Sequence, residues 1–267
     1  MRSFLLLLFG GLIAVGALLA VQWTAPGRAL TTPAMAAPSD KAAPDKAAPD
    51  KAAIGKVVRD YILANPEVLV EAMQELEKKQ ESDRSNVAQK AIKTYEGELL
   101  RDAESPVGGN PNGNVVIVEF NDYQCPYCKR AYVAVKAVTK ADGNVKIIHK
   151  DLPILGEASK IAALAALASV KQRKHAELHA ALMENNARLD RGKILEIAGS
   201  VGLDVAQLER DMQDPGLQRI IDRNMAIASA LGVRGTPAFV IGNQFVPGAV
   251  DAEALKQLIA DARKGKG

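Results

Sequence analysis

The sequence predicts an α/β protein, and three observations predict it. Two β-branched runs, Val115 to Phe120 and Val145 to Lys150, flank a segment with helical spacing, which is the pattern of a strand–helix–strand unit. An alanine- and leucine-rich region, about residues 157–231, is broken by aspartate and proline in the way a series of helices is broken. Behind it come a short strand pair and a closing amphipathic helix. At the junction of the first run and its helix stand Cys125-Pro126-Tyr127-Cys128, which hold the only two cysteines of the 267 residues.

Hydrophobic residues make up 48% and charged residues 24% of the chain, the balance of a globular protein with room for a sizeable core. The formal net charge is only +3, with no dense basic run interleaved with aromatics, which excludes a nucleic-acid partner.

Arg2 precedes an apolar run from Phe4 to Val21, the layout of a secretory signal peptide or an uncleaved signal anchor, so residues 1–35 predict export. Residues 36–53 repeat Lys-Ala-Ala-Pro-Asp with no apolar residue larger than alanine. Such a segment builds no core and reads as an extended linker.

Residues 54–101 form the next unit. Ile54, Val57, Val58, Tyr61 and Ile62 recur at helical spacing up to Asn65-Pro66, where Asn65 suits an N-cap and Pro66 a first helical position. A second helix shows Leu69, Met73 and Leu76 on one face, then a charged stretch from Glu77 to Arg84, then Val87, Ala91, Tyr95 and Leu99. That charged stretch is a candidate flexible joint. These stripes need a partner surface, either the downstream domain or a second copy of the chain, because so small a segment is marginal by itself.

The last unit spans residues 105–267. Ser105 to Gly113 is rich in proline, glycine and asparagine, which marks a boundary or an irregular edge. Val115 to Phe120 and Val145 to Lys150 predict a parallel pair. In the helical region Asp190, Asp204 and Asp214 suit N-caps and Pro215 a first-turn position, giving four or five helices. Ala238 to Ile241 and Phe245 to Val246, joined by Gly242-Asn243, predict a hairpin, and Asp251 to Lys264 a final helix.

A dithiol at a helix start can close into a small ring, and the helix N-terminus favours the Cys125 thiolate, which makes Cys125 the exposed nucleophile and Cys128 the resolving thiol. The order of strand, C-x-x-C helix, strand, helices, Thr-Pro, hairpin and helix is that of a thioredoxin-type fold. Roughly 110 residues separate Cys128 from Pro237, too many for a structureless loop, so a helical insertion fills the gap.

VEFNDYQCPYC, HKDLPILGEAS and GVRGTPAFVIG resemble the DsbA family of exported thiol-disulfide oxidoreductases. The resemblance implies a thioredoxin fold with a helical insertion, no cofactor, client proteins with unformed or wrong disulfides, and a membrane redox partner that resets the dithiol. It also implies a cis bond before Pro237, with the Thr236 backbone beside Cys125 ready to pair with an extended substrate. Glu119, six residues before Cys125, matches a family position associated with moving a proton to the buried cysteine, where burial would raise a carboxylate pKa. Tyr127 occupies the place where strong oxidases of the family often have histidine, so a less oxidising couple is expected.

IGKVVRDYILANPEVLVEAMQEL, with Asn-Pro-Glu-Val at residues 65–68, is similar to the N-terminal segment of the ScsC, or suppressor-of-copper-sensitivity, branch. Some members of that branch oligomerise through this segment and act as disulfide isomerases; others are monomeric oxidases. The resemblance therefore implies a periplasmic protein with a homo-oligomerisation segment at residues 54–101, and isomerase or reductase action is favoured over pure oxidation.

Two readings compete. C-P-Y-C also occurs in glutaredoxins, but the export signal and the insertion argue against that family. His175 and His179, one helical turn apart, would complete a Cys2His2 zinc set with Cys125 and Cys128, although the halves lie far apart for a zinc finger. Cu(I) capture by the two thiolates is a further metal-binding possibility.

Overall fold

The computed structural model describes residues 50–265, so the signal segment and all but the end of the linker lie outside the described residues. The chain falls into two units, Met1–Val58 and Arg59–Gly267, of which the first contributes only the start of the first helix to the description.

Helix α1 (Lys51–Ala64) and helix α2 (Glu67–Thr94) are separated at Asn65-Pro66, as expected, but the capping differs. Asn65 donates its side-chain amide to the Tyr61 carbonyl, so it closes α1, and Pro66 itself takes the N-cap place of α2 without any side-chain bond. The lone carbonyls at a helix end attract a donor as readily as the N–H groups at a helix start attract an acceptor. The charged stretch from Glu77 to Arg84 does not interrupt α2; it is helical throughout, and the break comes later, at Tyr95, before helix α3 (Glu96–Leu100).

The sheet has five strands in the order β1-β3-β2-β4-β5: β1 (Val107–Gly109), β2 (Val115–Asn121), β3 (Val145–Asp151), β4 (Ala238–Ile241) and β5 (Gln244–Pro247). β2 and β3 are parallel, and β1, β4 and β5 join antiparallel. β1 is the edge segment flagged by composition at Ser105 to Gly113. Central β2 is buried on both faces, which is why Val115 to Val118 are continuously apolar instead of alternating.

Each sheet face has its own core. Val115, Ile117, Val145, Ile147 and Phe239 pack on α4 (Pro126–Asp142) and α10 (Ala252–Arg263). Val118, Phe120, Ile148 and Val240 pack on α9 (Pro215–Leu231) and on Ala91, Ile92 and Leu99. The C-terminal part of α2 and α3 are thus integral to the sheet-containing domain. The expected boundary after residue 101 therefore does not mark a packing seam. Upstream in α2, Leu69, Val70, Met73 and Leu76 are exposed, so the change from solvent-facing to core-facing occurs within one continuous helix.

The insertion contains α5 (Glu157–Ala168), a short 3-10 turn, α6 (His175–Glu184), α7 (Arg191–Ser200) and α8 (Val205–Asp211), and leads into α9. The expected N-caps form: Asp190, Asp204 and Asp214 accept from the backbone N–H groups of Lys193, Gln207 and Gly216. Asp251 caps α10 in the same manner. The insertion core includes Tyr123, Cys125, Cys128 and Tyr132, so these helices wall one side of the dithiol.

Candidate active site

Cys125 stands at the N-cap of α4 and Pro126 at its first position, where a missing N–H costs nothing. The Cys125 N–H is fixed by the Asp122 carbonyl at 3.0 Å. Both thiols are free. The Thr236-Pro237 bond is cis, and Cys125 Sγ donates to the Thr236 carbonyl at 3.1 Å. Cys125 and the Thr236-Pro237 pair, about 110 residues apart in sequence, are therefore adjacent in space. Cys125 is less open than the sequence suggested, at 5% exposure, because the Thr236 loop lies over its sulfur. Beside it Tyr127 projects into solvent, with the Arg130 guanidinium over its ring at 4.4 Å. The tyrosine thus has a cation for a neighbour, which sequence spacing alone did not reveal.

Cys128 is fully buried, and burial pushes its thiol well above the ordinary cysteine range, against the smaller opposing pull of the Asp122 N–H, which donates to its sulfur at 3.5 Å. A thiol held protonated is a poor nucleophile, which leaves Cys125, at the positive end of α4, as the candidate for nucleophilic attack.

Asp122 is a site residue that sequence reasoning missed. Its carboxylate is buried; one oxygen accepts from the Gln124 N–H (2.8 Å) and the Ser159 hydroxyl (2.7 Å), the other from the Ile154 (2.9 Å) and Leu155 (3.0 Å) N–H groups. It ties the loop before the dithiol to the loop after β3 and to α5. Its one sequence signal is an acidic residue directly between an apolar strand and a C-x-x-C.

Glu119 is wholly buried on central β2, on the face that α4 covers, as its alternation with Val115 and Ile117 requires. Its polar neighbour is His149, the residue paired with it in the β2–β3 register, with Nδ1 3.4 Å from Oε2. His175 and His179 do not join the cysteines. They stack on each other and meet His149 at tilted ring angles, so the four residues of the Cys2His2 alternative do not converge.

A dithiol at a helix N-terminus, faced by a cis-proline loop on a thioredoxin-type sheet, defines the class of thiol-disulfide oxidoreductases. Residues 116–260 match the DSBA-like thioredoxin domain, and residues 50–82 match the copper resistance protein ScsC N-terminal domain. The chain belongs to the DSBA-like thioredoxin family and has an N-terminal segment of the ScsC type.

A thioredoxin-like oxidoreductase from Silicibacter pomeroyi DSS-3 is 45% identical, covering 63% of this chain and 97% of that one, with a TM-score of 0.62. The catalytic domain of Proteus mirabilis ScsC is 31% identical over 66% of this chain and 98% of its own, with a TM-score of 0.61. Among curated relatives, the Na(+)/H(+) antiporter NhaA 1 of Salinispora arenicola is 28% identical over 162 residues, 60% of this chain. The chain spans about a quarter of the length of that relative (25%).

Proposed function

We propose that the chain is an exported, periplasmic enzyme that reduces or rearranges disulfides in client proteins, working as a homo-oligomer assembled through its N-terminal helices. The observation that carries this reading is the contrast between the two sulfurs: Cys125 under the Thr236 carbonyl and Cys128 fully buried with a raised pKa. The Cys125 thiolate attacks a client disulfide, one client sulfur leaves as thiolate, and a mixed disulfide forms. In isomerisation that client thiolate attacks elsewhere in the client, and Cys125 is finally released as it began. In reduction Cys128 attacks Cys125, the Cys125–Cys128 disulfide closes, the second client sulfur leaves, and a membrane redox partner returns two electrons. The Thr236 backbone pairs with the client segment, and Glu119 moves the proton that Cys128 gives up on attack.

Assembly is supported by the apolar side chains of Ile54, Val57 and Val58 on α1, and of Leu69, Val70, Met73 and Leu76 on α2, all exposed. Several dithiols on one assembly can hold a client while scanning its disulfides.

The test is a paired assay of scrambled-disulfide refolding and of reduced-substrate oxidation. It compares the full chain with a chain starting at Asp83, which keeps the buried part of α2. Loss of refolding activity with retained or increased oxidation on truncation is the expected result. Full-length protein that oxidises substrate but never rearranges disulfides would overturn the isomerase reading and leave a monomer-type oxidase.

A further inference from the structure

The chain's three histidines come from different elements, His149 from β3 and His175 and His179 from α6, yet they meet in one place. Ring centroids of His149 and His179 are 4.3 Å apart, and His175 stacks 5.6 Å from His179. One donor atom from each of Glu119, His149 and His179 lies within 4.8 Å of the other two. All three residues are more than nine-tenths buried. Both Glu119 oxygens, His149 Nδ1 and His179 Nε2 lack a hydrogen-bond partner. Buried polar atoms are normally satisfied, and each orphan costs about 1–3 kcal/mol. So many, so close, call for a common partner.

We propose that Glu119, His149 and His179 form a binding site for a divalent transition-metal ion of the zinc class that uses neither cysteine and shares only Glu119 with the dithiol machinery. Two imidazole nitrogens and one carboxylate are a known donor set for zinc that leaves a fourth position open. The set contains no sulfur, which disfavours Cu(I), and too few oxygens for calcium or magnesium.

The surroundings orient the donors. His179 Nδ1 lies 3.0 Å from the Tyr123 hydroxyl; with the ring N–H donating there, the lone pair is left on Nε2, the arrangement by which a neighbouring oxygen fixes a metal-binding histidine. On the far side of His149, Gly108 leaves room for the ring: a Cβ at that position would sit 2.7 Å from His149 Nε2. Nδ1 is thereby held toward Glu119. An open cavity of about 420 Å³ reaches the cluster past Tyr132 and Lys136, and the lysine charge there is already paired with Glu184 at 2.6 Å. A simple Glu119–His149 ion pair would account for the contact between those two residues but would leave His179 Nε2 without a partner.

The test uses the untagged full-length chain in its oxidised form, with the Cys125–Cys128 disulfide closed so that no thiolate can bind. Calorimetric titration with Zn2+ should give one ion per chain, and Co2+ should give the visible absorption of a low-coordinate nitrogen–oxygen site. Glu119→Gln and His149→Gln should each weaken Zn2+ affinity at least tenfold, and Tyr123→Phe about tenfold. The wild-type stoichiometry decides the matter even if a variant fails to fold. Absence of stoichiometric Zn2+ in the oxidised chain, binding seen only after reduction, or unchanged affinity in folded Glu119→Gln and His149→Gln would each overturn the proposal. Because the thiols are closed throughout, its failure would leave the dithiol chemistry untouched.

Discussion

Replacing Asp122 by asparagine tests how much of the site's rigidity rests on a single carboxylate. The substitution preserves shape and one oxygen. In the native protein each oxygen accepts two bonds, one from the Gln124 N–H and Ser159 hydroxyl, the other from the Ile154 and Leu155 N–H groups. Asparagine can serve one pair only. Its amide must then face the other pair, donor against donor. Turning the amide to keep the Ile154 and Leu155 bonds leaves Gln124 and the Ser159 hydroxyl short instead, and the hydroxyl is the more adaptable partner because it can rotate to another acceptor. An unsatisfied buried donor costs about 1–3 kcal/mol, and partial relaxation makes the sum less than additive, so a loss of about 2–4 kcal/mol is expected. With a urea m-value of roughly 2 kcal/mol/M, that is a fall in the unfolding midpoint of about 1–2 M. Urea unfolding followed by circular dichroism, on reduced and oxidised protein, measures it. The tie also positions the loop entering Cys125, so attack on a model disulfide should slow in the protein that remains folded. A midpoint within about 0.3 M of wild type, with unchanged m, would show that these four bonds are not a clamp.

Other substitutions probe separate parts. Cys128→Ala should accumulate a mixed disulfide between Cys125 and client, visible on non-reducing gels, whereas Cys125→Ala should form none. Gly108→Ala should destabilise by about 1–3 kcal/mol in urea, because the added methyl would lie 2.7 Å from Nε2 of the buried His149 ring. Asp102→Asn should destabilise by about 3–5 kcal/mol at neutral pH, since it leaves fully buried Lys150, now 2.6 Å from the carboxylate, without its charge partner. The same residue shapes the acid limb. Burial pushes the Asp102 carboxyl up, but bonds from Lys150 and the Glu104 N–H together with the Lys150 charge outweigh it and hold the pKa below the ordinary 3.8. A depressed folded pKa gives stability that is present above that ordinary value and lost as pH falls through the folded one, so the variant's stability should fall less steeply than wild type below about pH 4.

The strands, the dithiol and the helix starts of the insertion were legible in the sequence because their causes are local. A continuous β-branched run reports burial on both faces of β2, and an aspartate such as Asp190 caps through a bond to the N–H three residues on. Apolar periodicity in α2 was equally legible, but not what each stretch packs against. Met73 and Ile92 share one helix and one kind of spacing, yet one faces solvent and the other the sheet. The meeting of Glu119 with His149 depends on the register of β2 against β3, and that of His149 with His179 on how α6 docks. Spacing alone offered a Cys2His2 pairing of His175 and His179 with the cysteines only as a competing reading, against which the long gap between the two halves already spoke. Asp122 was hidden for the same reason: its partners Ile154, Leu155 and Ser159 are more than thirty residues away.

The exposed face of α2 decides whether the enzyme works as an assembly. Leu69, Val70, Met73 and Leu76 lie on the part of α2 that precedes its junction with the sheet, and none of them is covered by the chain's own described residues. Complete burial of one such side chain stabilises by about 1.5–3 kcal/mol, so a handful buried between copies can offset the several kcal/mol lost when chains lose independent motion. Met73→Glu places a carboxylate in the middle of that face. Held in an apolar contact without a partner it costs several kcal/mol, enough to lower association at least a hundredfold, while the catalytic domain keeps all of its core. Light scattering at micromolar concentration should show wild-type oligomer and Met73→Glu monomer with the same melting behaviour of the catalytic domain. The monomer should also lose scrambled-disulfide refolding while still exchanging disulfides through Cys125. A wild-type chain that is monomeric at that concentration, or a Met73→Glu chain that assembles as before, would show that this face has another partner, and the isomerase reading would lose its structural basis.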